Sequence, residues 1–243
     1  MKTNYVDYVK SCHDCQTHAN LNNVPPSELY SMTSPWPFSV WGIDVIGRIA
    51  PKASNEHEYI LVAIDYFTKW VEAAPYSMLK AKHVTLFLEN NIICRFGVPQ
   101  EIISNNGSYF EGKVRRVMEE YGIEHHKSSL YRPQANGAIE VANKNMKNIL
   151  AKMVVTYKDW VEKLPFALWG YKTSIRASMR ATPYYLVYGS KAVLPIEVEI
   201  QSLRVLVETM VVEEDWAKAR YEQLALIDEK RVRAQYHAQG YQN

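Results

Sequence analysis

The sequence predicts an α/β fold with a mixed sheet, and two patterns along the chain indicate it. Three short runs rich in β-branched and aromatic residues follow one another at 39–47, 58–67 and 68–76, as expected of an antiparallel meander. After the meander, shorter strand-like runs alternate with helical patterns. This alternation favours a mixed sheet with helices packed against it.

The elements after the meander follow from hydrophobic spacing and from stop signals. From Lys80 to Phe96 the apolar residues recur at helical steps, and Gly97 and Pro99 predict the end of that helix. The remaining predicted elements are strands at 100–104 and 123–129 and helices at 110–122, 136–157, 159–175 and 211–239. Together with the meander, this gives a sheet of five strands.

The composition indicates one main folded domain. The chain has 243 residues, of which 47% are apolar and 22% are charged, enough for one sizeable core plus appended segments. Its longest apolar runs fall far short of the roughly 20 residues that a membrane helix needs, and the amino terminus lacks the apolar core of a signal peptide. We therefore expect a soluble intracellular protein that is not secreted and has no membrane partner.

Three positions in separate segments have the pattern of a metal-dependent site. They are Asp44 in WGIDVIG, Asn105 in IISNNGSYF and Glu140 in YRPQANGAIE. Three convergent carboxylates can hold two Mg²⁺ ions about 3.5–4 Å apart for phosphodiester chemistry. An amide at the middle position offers a neutral oxygen that does not offset the charge of two dications. The sequence therefore predicts weakened metal binding. Asp65 is an alternative ligand, although we favour a role at the start of the following turn.

Five motifs cover most of the chain in a fixed order. They are SPWPFSVWGIDVIG (34–47), ILVAIDYFTKWVEA (60–73), IICRFGVPQEIISNNGSYF (92–110), YRPQANGAIEVANKN (131–145) and ATPYYLVYG (181–189). In this order they resemble the catalytic core of retroviral-type integrases, and most closely the integrase region of plant Gypsy-class LTR-retrotransposon polyproteins. The resemblance implies an RNase H-like fold with a mixed five-stranded sheet and flanking helices, a short amino-terminal appendage and a long carboxy-terminal helix.

The resemblance also implies a function. It implies a polynucleotidyl transferase that integrates DNA by 3′ processing and strand transfer, with Mg²⁺ or Mn²⁺ held by Asp44, the residue at position 105 and Glu140. The family has an aspartate where this chain has Asn105, so we expect impaired catalysis. The alternative is an inactive nucleic-acid-binding remnant or a domesticated RNase H-like module. The implied partners are element ends and target DNA in the nucleus, with homo-oligomers as the expected assembly.

A basic helix face is predicted beside Glu140. Lys144 and Lys147 follow Glu140 at steps of four and three residues, so the three side chains share one face. Such lysines attract phosphates with an affinity that falls as salt rises, whereas the alternative is an ordinary helical ion pair. Arg132 and Gln134, in the preceding loop, are candidate DNA contacts, and the alternative there is a turn set by the neighbouring proline.

The same resemblance divides the chain into four parts. The expected parts are a truncated remnant of a zinc-binding domain (1–25), a linker (26–35), the catalytic core (36–195) and a helical extension (196–243). Cys12 and Cys15 have the spacing of half a tetrahedral zinc site. We expect this incomplete pair to hold no zinc unless His13 or His18 is recruited. Cys94, in the apolar run IICRF, is expected to be a buried small hydrophobe.

Overall fold

The computed structural model describes most of the chain. The described residues are 11–12, 34, 36–49, 52–127, 137–153, 159–194, 196–197, 202, 206 and 211–242, with 137–141, 152–153 and 241–242 described in their backbone alone. The predicted appendage and linker therefore lie almost entirely outside the described residues. Cys15, Arg132 and Gln134 also lie outside them.

A mixed sheet of five strands forms the centre of the structure. The strands are β1 (Val40–Ile46), β2 (Tyr59–Asp65), β3 (Val71–Tyr76), β4 (Glu101–Ser104) and β5 (Glu124–Lys127). Their order across the sheet is β3-β2-β1-β4-β5. Strand β2 is antiparallel to β1 and β3, whereas β4 is parallel to β1 and β5. The predicted meander and the predicted mixed sheet are both confirmed.

Helical segments connect and follow the strands. They are α1 (Ala81–Phe87), a π-helical segment (Leu88–Ile93), α2 (Cys94–Phe96), a 3₁₀ turn (Ser108–Phe110), α3 (Lys113–Glu120), α4 (Gly137–Met153), α5 (Trp160–Thr173), α6 (Pro183–Tyr188), α7 (Glu213–Ala225) and α8 (Ile227–Gln242). The short helix α6 was not predicted. Thr182 caps its amino end, where the Thr182 hydroxyl accepts a hydrogen bond from the backbone N–H of Tyr185. Gly189, in the left-handed conformation, caps its carboxyl end.

Helices cover both faces of the sheet. On one face, Trp41 and Ile43 of β1 pack in a buried cluster with α1 and α3. On the other face, Val62 of β2 packs in a second cluster with Met146 of α4 and Leu164 of α5. Successive residues of a strand point to opposite faces. Residues of β1 that alternate with Trp41 and Ile43 therefore face α4.

The helix predicted from Lys80 to Phe96 is continuous but changes its winding. Its middle, Leu88–Ile93, is π-helical, and a π-helical turn holds more residues than an α-helical turn. Cys94 is exposed, and our prediction of a buried cysteine was wrong. It lies two residues after the buried Ile92, and two residues are more than half a turn of an α-helix, so the two side chains point to opposite sides.

The predicted long carboxy-terminal helix is divided in two. Helix α7 ends at Ala225 and α8 begins at Ile227, with a turn at Leu226 between them. Ile227 is 9% exposed and packs against Gly189 at the end of α6. The polar repeat did not predict this division. No helix among the described residues is long and apolar enough to cross a membrane.

Candidate active site

The register of two parallel strands brings Asp44 and Asn105 together. Asp44 lies on β1 opposite Val62, on the sheet face that α4 covers. The last pair between β1 and β4 joins Ile43 to Ser104, so the next residues along the two strands are Asp44 and Asn105. Two predicted site positions that are 61 residues apart in the sequence therefore lie in contact.

Asn105 faces Asp44 with the nitrogen of its amide. Its Nδ2 donates a hydrogen bond to Oδ1 of Asp44 at 3.0 Å. Its own Oδ1 accepts from the backbone N–H of Gly107 at 3.0 Å and from the hydroxyl of Tyr109 at 3.3 Å. An ionised carboxylate only accepts and a backbone N–H only donates, so these partners fix the orientation of the amide.

A second asparagine binds the other oxygen of Asp44. Nδ2 of Asn143, on α4, donates to Oδ2 of Asp44 at 2.7 Å. Asn143 is 8% exposed, and its own Oδ1 is buried without a hydrogen-bond partner among the described residues. Both oxygens of the Asp44 carboxylate therefore accept hydrogen bonds from side-chain amides.

Opposing influences act on the charge of Asp44. Burial is the largest of them, and it raises the pKa of the Asp44 carboxyl above its ordinary value. Hydrogen bonds from the backbone of Val45 and from Asn105 and Asn143 act in the other direction, as does the positive charge of Lys147. Lys147 is therefore close enough to the site for its charge to act on Asp44.

The other predicted residues divide between described and undescribed positions. The backbone of Glu140 is in the first turn of α4, as predicted, but its side chain lies outside the described part of the structure. Lys144 and Lys147 are exposed on α4. Cys12 is partly buried, and its predicted partner Cys15 is not described. The zinc prediction therefore stays a prediction.

Asp65 does not approach Asp44. It pairs with Trp41 on the neighbouring strand, so its side chain points to the sheet face opposite that of Asp44. Its carboxylate is buried and accepts hydrogen bonds from the backbone N–H of Phe38 at 3.0 Å and of Thr68 at 2.7 Å, and from the Thr68 hydroxyl at 2.6 Å. Asp65 therefore holds the turn after β2, which was the favoured prediction.

This geometry agrees with a comparison against protein families. Residues 35–133 match the family model described as integrase core domain. The match includes Asp44 and Asn105. Over this stretch the chain is similar to the integrase core domain family. The matched stretch ends before Glu140, so the third position depends on the motif resemblance.

Curated viral polyproteins are similar to this chain over part of their length. The chain is 35% identical over 154 residues to the Gag-Pol polyprotein of Avian reticuloendotheliosis virus, an alignment that covers 62% of this chain and 13% of the polyprotein. It is 36% identical over 137 residues to the Pol polyprotein of Radiation murine leukemia virus (strain Kaplan), covering 55% and 23%. The chain thus spans less than a quarter of the length of either relative.

A solved structure supports the integrase core fold. The chain resembles one in the cryoEM structure of the simian T-cell lymphotropic virus intasome in complex with PP2A regulatory subunit B56 gamma, with a TM-score of 0.56 and 21% identity. The superposition covers 80% of this chain and 69% of that chain. At this identity the likeness concerns the fold alone. The predicted RNase H-like fold is confirmed.

The described side chains around Asp44, which do not include that of Glu140, do not fit the divalent metals that integrase core domains generally use. Two dications need several carboxylate oxygens, and no group of three His, Cys, Asp or Glu residues suited to a metal occurs among the described residues. Asp44 already accepts two amide hydrogen bonds. The carbonyl oxygen of Asn105 is bonded within its own turn instead of facing Asp44. The site as described is arranged for hydrogen bonding.

Sequence reasoning missed two residues of this site. Asn143 lies three residues after Glu140, a spacing that puts two residues on neighbouring parts of one helix face. That spacing could have indicated Asn143, but the prediction named only Lys144 and Lys147, which lie four and seven residues after Glu140. Tyr109 contacts both polar atoms of the Asn105 amide, at 3.2 Å and 3.3 Å. Nothing in the sequence distinguished it from the other aromatic residues.

Proposed function

We propose that this chain is a DNA-binding integrase core whose DNA-joining chemistry is impaired at position 105. The observation that carries the proposal is the contact between Asp44 and an amide nitrogen, at the position where the motif resemblance implies an acid. The integrase core match and the viral polyprotein relatives support the reaction class, which is DNA integration by phosphoryl transfer.

The proposed impairment follows from charge. Phosphoryl transfer depends on positioning and electrostatic stabilisation, because the protein contributes little covalent chemistry. Removing one preorganised electrostatic group from an active site typically lowers the rate by about 10²–10³. An amide in place of a carboxylate removes one negative charge from the centre. It also presents a donor where the chemistry requires an acceptor.

The first test of the proposal is a strand-transfer assay with purified protein, element-end DNA, and Mg²⁺ or Mn²⁺. We expect Asn105→Asp to join DNA faster than the native chain, because it restores the carboxylate. Asn106→Asp is the matched control, since it adds the same charge at the next, exposed residue. A native chain with no detectable joining beside an active Asn105→Asp variant would favour the alternative function, a nucleic-acid-binding module that has kept the integrase fold.

The proposed DNA surface includes the exposed face of α4. Lys144 and Lys147 lie on this face, and the charge of Lys147 acts on Asp44. A lysine that neutralises a phosphate on duplex DNA releases bound counterions, so each contact adds about 0.9 to the slope of log affinity against log salt. DNA bound across this surface would pass beside Asp44.

A DNA-binding experiment tests this surface. The double variant Lys144→Glu plus Lys147→Glu is expected to bind duplex DNA more weakly and to lower the salt slope by roughly 2, one for each lost contact. The control is Lys82→Glu plus Lys113→Glu, with the same charge change at exposed residues of helices on the opposite sheet face. Equal losses in the two double variants would contradict a DNA surface on α4.

Origin, assembly and location extend the proposal. The motifs support an origin in a plant Gypsy-class retrotransposon, and we propose that the chain acts in the nucleus as a homo-oligomer. The structural neighbour is part of a viral intasome. Light scattering of the purified chain with and without element-end DNA tests the assembly. A monomer under both conditions contradicts it.

A further inference from the structure

We propose that the side-chain amides of Asn105 and Asn143 take the place of a cation at Asp44, so that the centre is closed without metal and stabilises the fold. This inference deepens the proposed function and rests on the same assignment of position 105. Impaired chemistry requires only that a ligand is lost. A closed centre requires in addition that the replacing residue satisfies the acid that remains.

The two amides satisfy both oxygens of the carboxylate. Asn105 donates to Oδ1 of Asp44 at 3.0 Å and Asn143 donates to Oδ2 at 2.7 Å. Hydrogen bonds that end on an ionised carboxylate are stronger than those between neutral groups. These donors come from two separate elements, the end of β4 and helix α4, and meet on β1. The carboxylate thus links three elements of the fold.

The orientation of Asn105 directs its carbonyl oxygen away from Asp44 and towards Gly107 and Tyr109. In the observed orientation the carbonyl oxygen accepts from Gly107 N–H, and the nitrogen binds Asp44. A half-turn of the amide would direct the oxygen towards the centre, but it would also set the amide N–H₂ against the N–H of Gly107. Two donors would then face each other. A cation at Asp44 therefore competes with the turn that follows β4.

With an aspartate at position 105, a bound divalent metal would stabilise the fold, unlike in the native chain. One of its oxygens can accept from Gly107, as the amide oxygen does, but the other then faces the Asp44 carboxylate. The corresponding atoms of Asn105 and Asp44 are 3.0 Å apart. Two ionised carboxylates at this separation repel each other, and a divalent cation between them relieves the repulsion. The metal-free fold is therefore favoured by asparagine, and the metal-bound fold by aspartate.

Thermal unfolding with and without metal tests the inference. The native 243-residue chain and its Asn105→Asp, Asn105→Ala and Asn106→Asp variants are compared in EDTA, in excess Mg²⁺ and in excess Mn²⁺. In EDTA we expect the Tm of Asn105→Asp to lie roughly 5 °C or more below that of the native chain, a shift appropriate to a lost charge-assisted bond in a chain of this size. Metal should restore most of this loss while leaving the native Tm unchanged.

Two further variants separate charge from hydrogen bonding. Asn105→Ala removes the donor without adding a charge, so its Tm should fall in EDTA by less than that of Asn105→Asp and should not respond to metal. If Asn105→Asp does not fold in EDTA, the Asn105→Ala result carries the test. The Tm of Asn106→Asp should respond to metal as the Tm of the native chain does. A native Tm that rises with Mg²⁺ as steeply as that of Asn105→Asp overturns the inference, as does an Asn105→Ala Tm equal to the native value.

The outcome is separable from that of the proposed function. A native chain that joins DNA at the rate of Asn105→Asp contradicts the proposed impairment, whatever the Tm values. A native chain that joins no DNA but gains stability from Mg²⁺ leaves the impairment intact and overturns the closed centre.

Discussion

At the scale of single residues, the surroundings of three acids in the sheet decide what each acid does. Asp65 accepts hydrogen bonds from a backbone turn on one face of the sheet. Asp44 accepts two side-chain amides on the other face. Glu72, on β3, forms salt bridges with the side chains of Arg95 and Lys172. Only Asp44 lies where the motif resemblance implies catalysis, and its two side-chain partners there are neutral amides.

Glu72 joins three elements through buried polar contacts. Its carboxylate is 2.8 Å from a guanidinium nitrogen of Arg95 on α2 and 3.0 Å from Nζ of Lys172 on α5. It also accepts from Nε1 of Trp70 at 2.7 Å. Glu72 is 4% exposed and the Lys172 side chain 12%. Burial lowers the pKa of Lys172, and the neighbouring Glu72 acts in the opposite direction.

Removing Glu72 should therefore destabilise the fold. Glu72→Ala leaves Lys172 buried without its counter-charge, and such changes cost about 3–5 kcal/mol of the free energy of unfolding. Urea denaturation measures the loss. The double variant Glu72→Met plus Lys172→Met should recover part of it, because an apolar pair of similar volume leaves no unpaired buried charge. A midpoint for Glu72→Ala equal to that of the native chain would contradict this role.

The sequence predicted the site residues that stand in motifs and missed those that depend on packing. Asp44 and Asn105 were predicted, and the register of β1 and β4 brings them into contact. Asn143 and Glu72 were not predicted as parts of polar networks. Their partners, Asp44 and Lys172, lie 99 and 100 residues away in the chain, so local spacing can place Asn143 beside Glu140 on one helix face but cannot identify either contact. Such contacts depend on how helices are rotated against the sheet.

At the scale of elements, hydrophobic spacing located the helices but did not predict their irregularities. Helix α4 begins and ends within the predicted range, and its residues Ala142 and Met146 are buried. The π-helical segment before α2 was missed because an apolar repeat does not reveal one added residue. The segment spans Leu88–Ile93. The division between α7 and α8 was also missed. At this point Ile227 packs against Gly189, which is distant in the sequence, and a local repeat does not show such a contact.

At the scale of the whole molecule, local sequence patterns predicted an α/β fold with a mixed sheet. The resemblance to integrases predicted that this fold is RNase H-like. Alternation of strands and helices predicted a mixed sheet, and the sheet has five strands with helices on both faces. Periodicity does not order strands that are distant in the sequence. The central position of β1 between β2 and β4 is nevertheless what matters for the site, because only this order sets Asp44 beside Asn105.

We propose that Asn105 limits the DNA-joining chemistry of this integrase-like core. The most direct measurement is the ratio of single-turnover strand-transfer rates between Asn105→Asp and the native chain, at saturating element-end DNA in Mg²⁺. We expect a ratio of about 100 or more, the usual effect of restoring one electrostatic group to an active site. A ratio near one, with the native chain clearly active, would contradict the account.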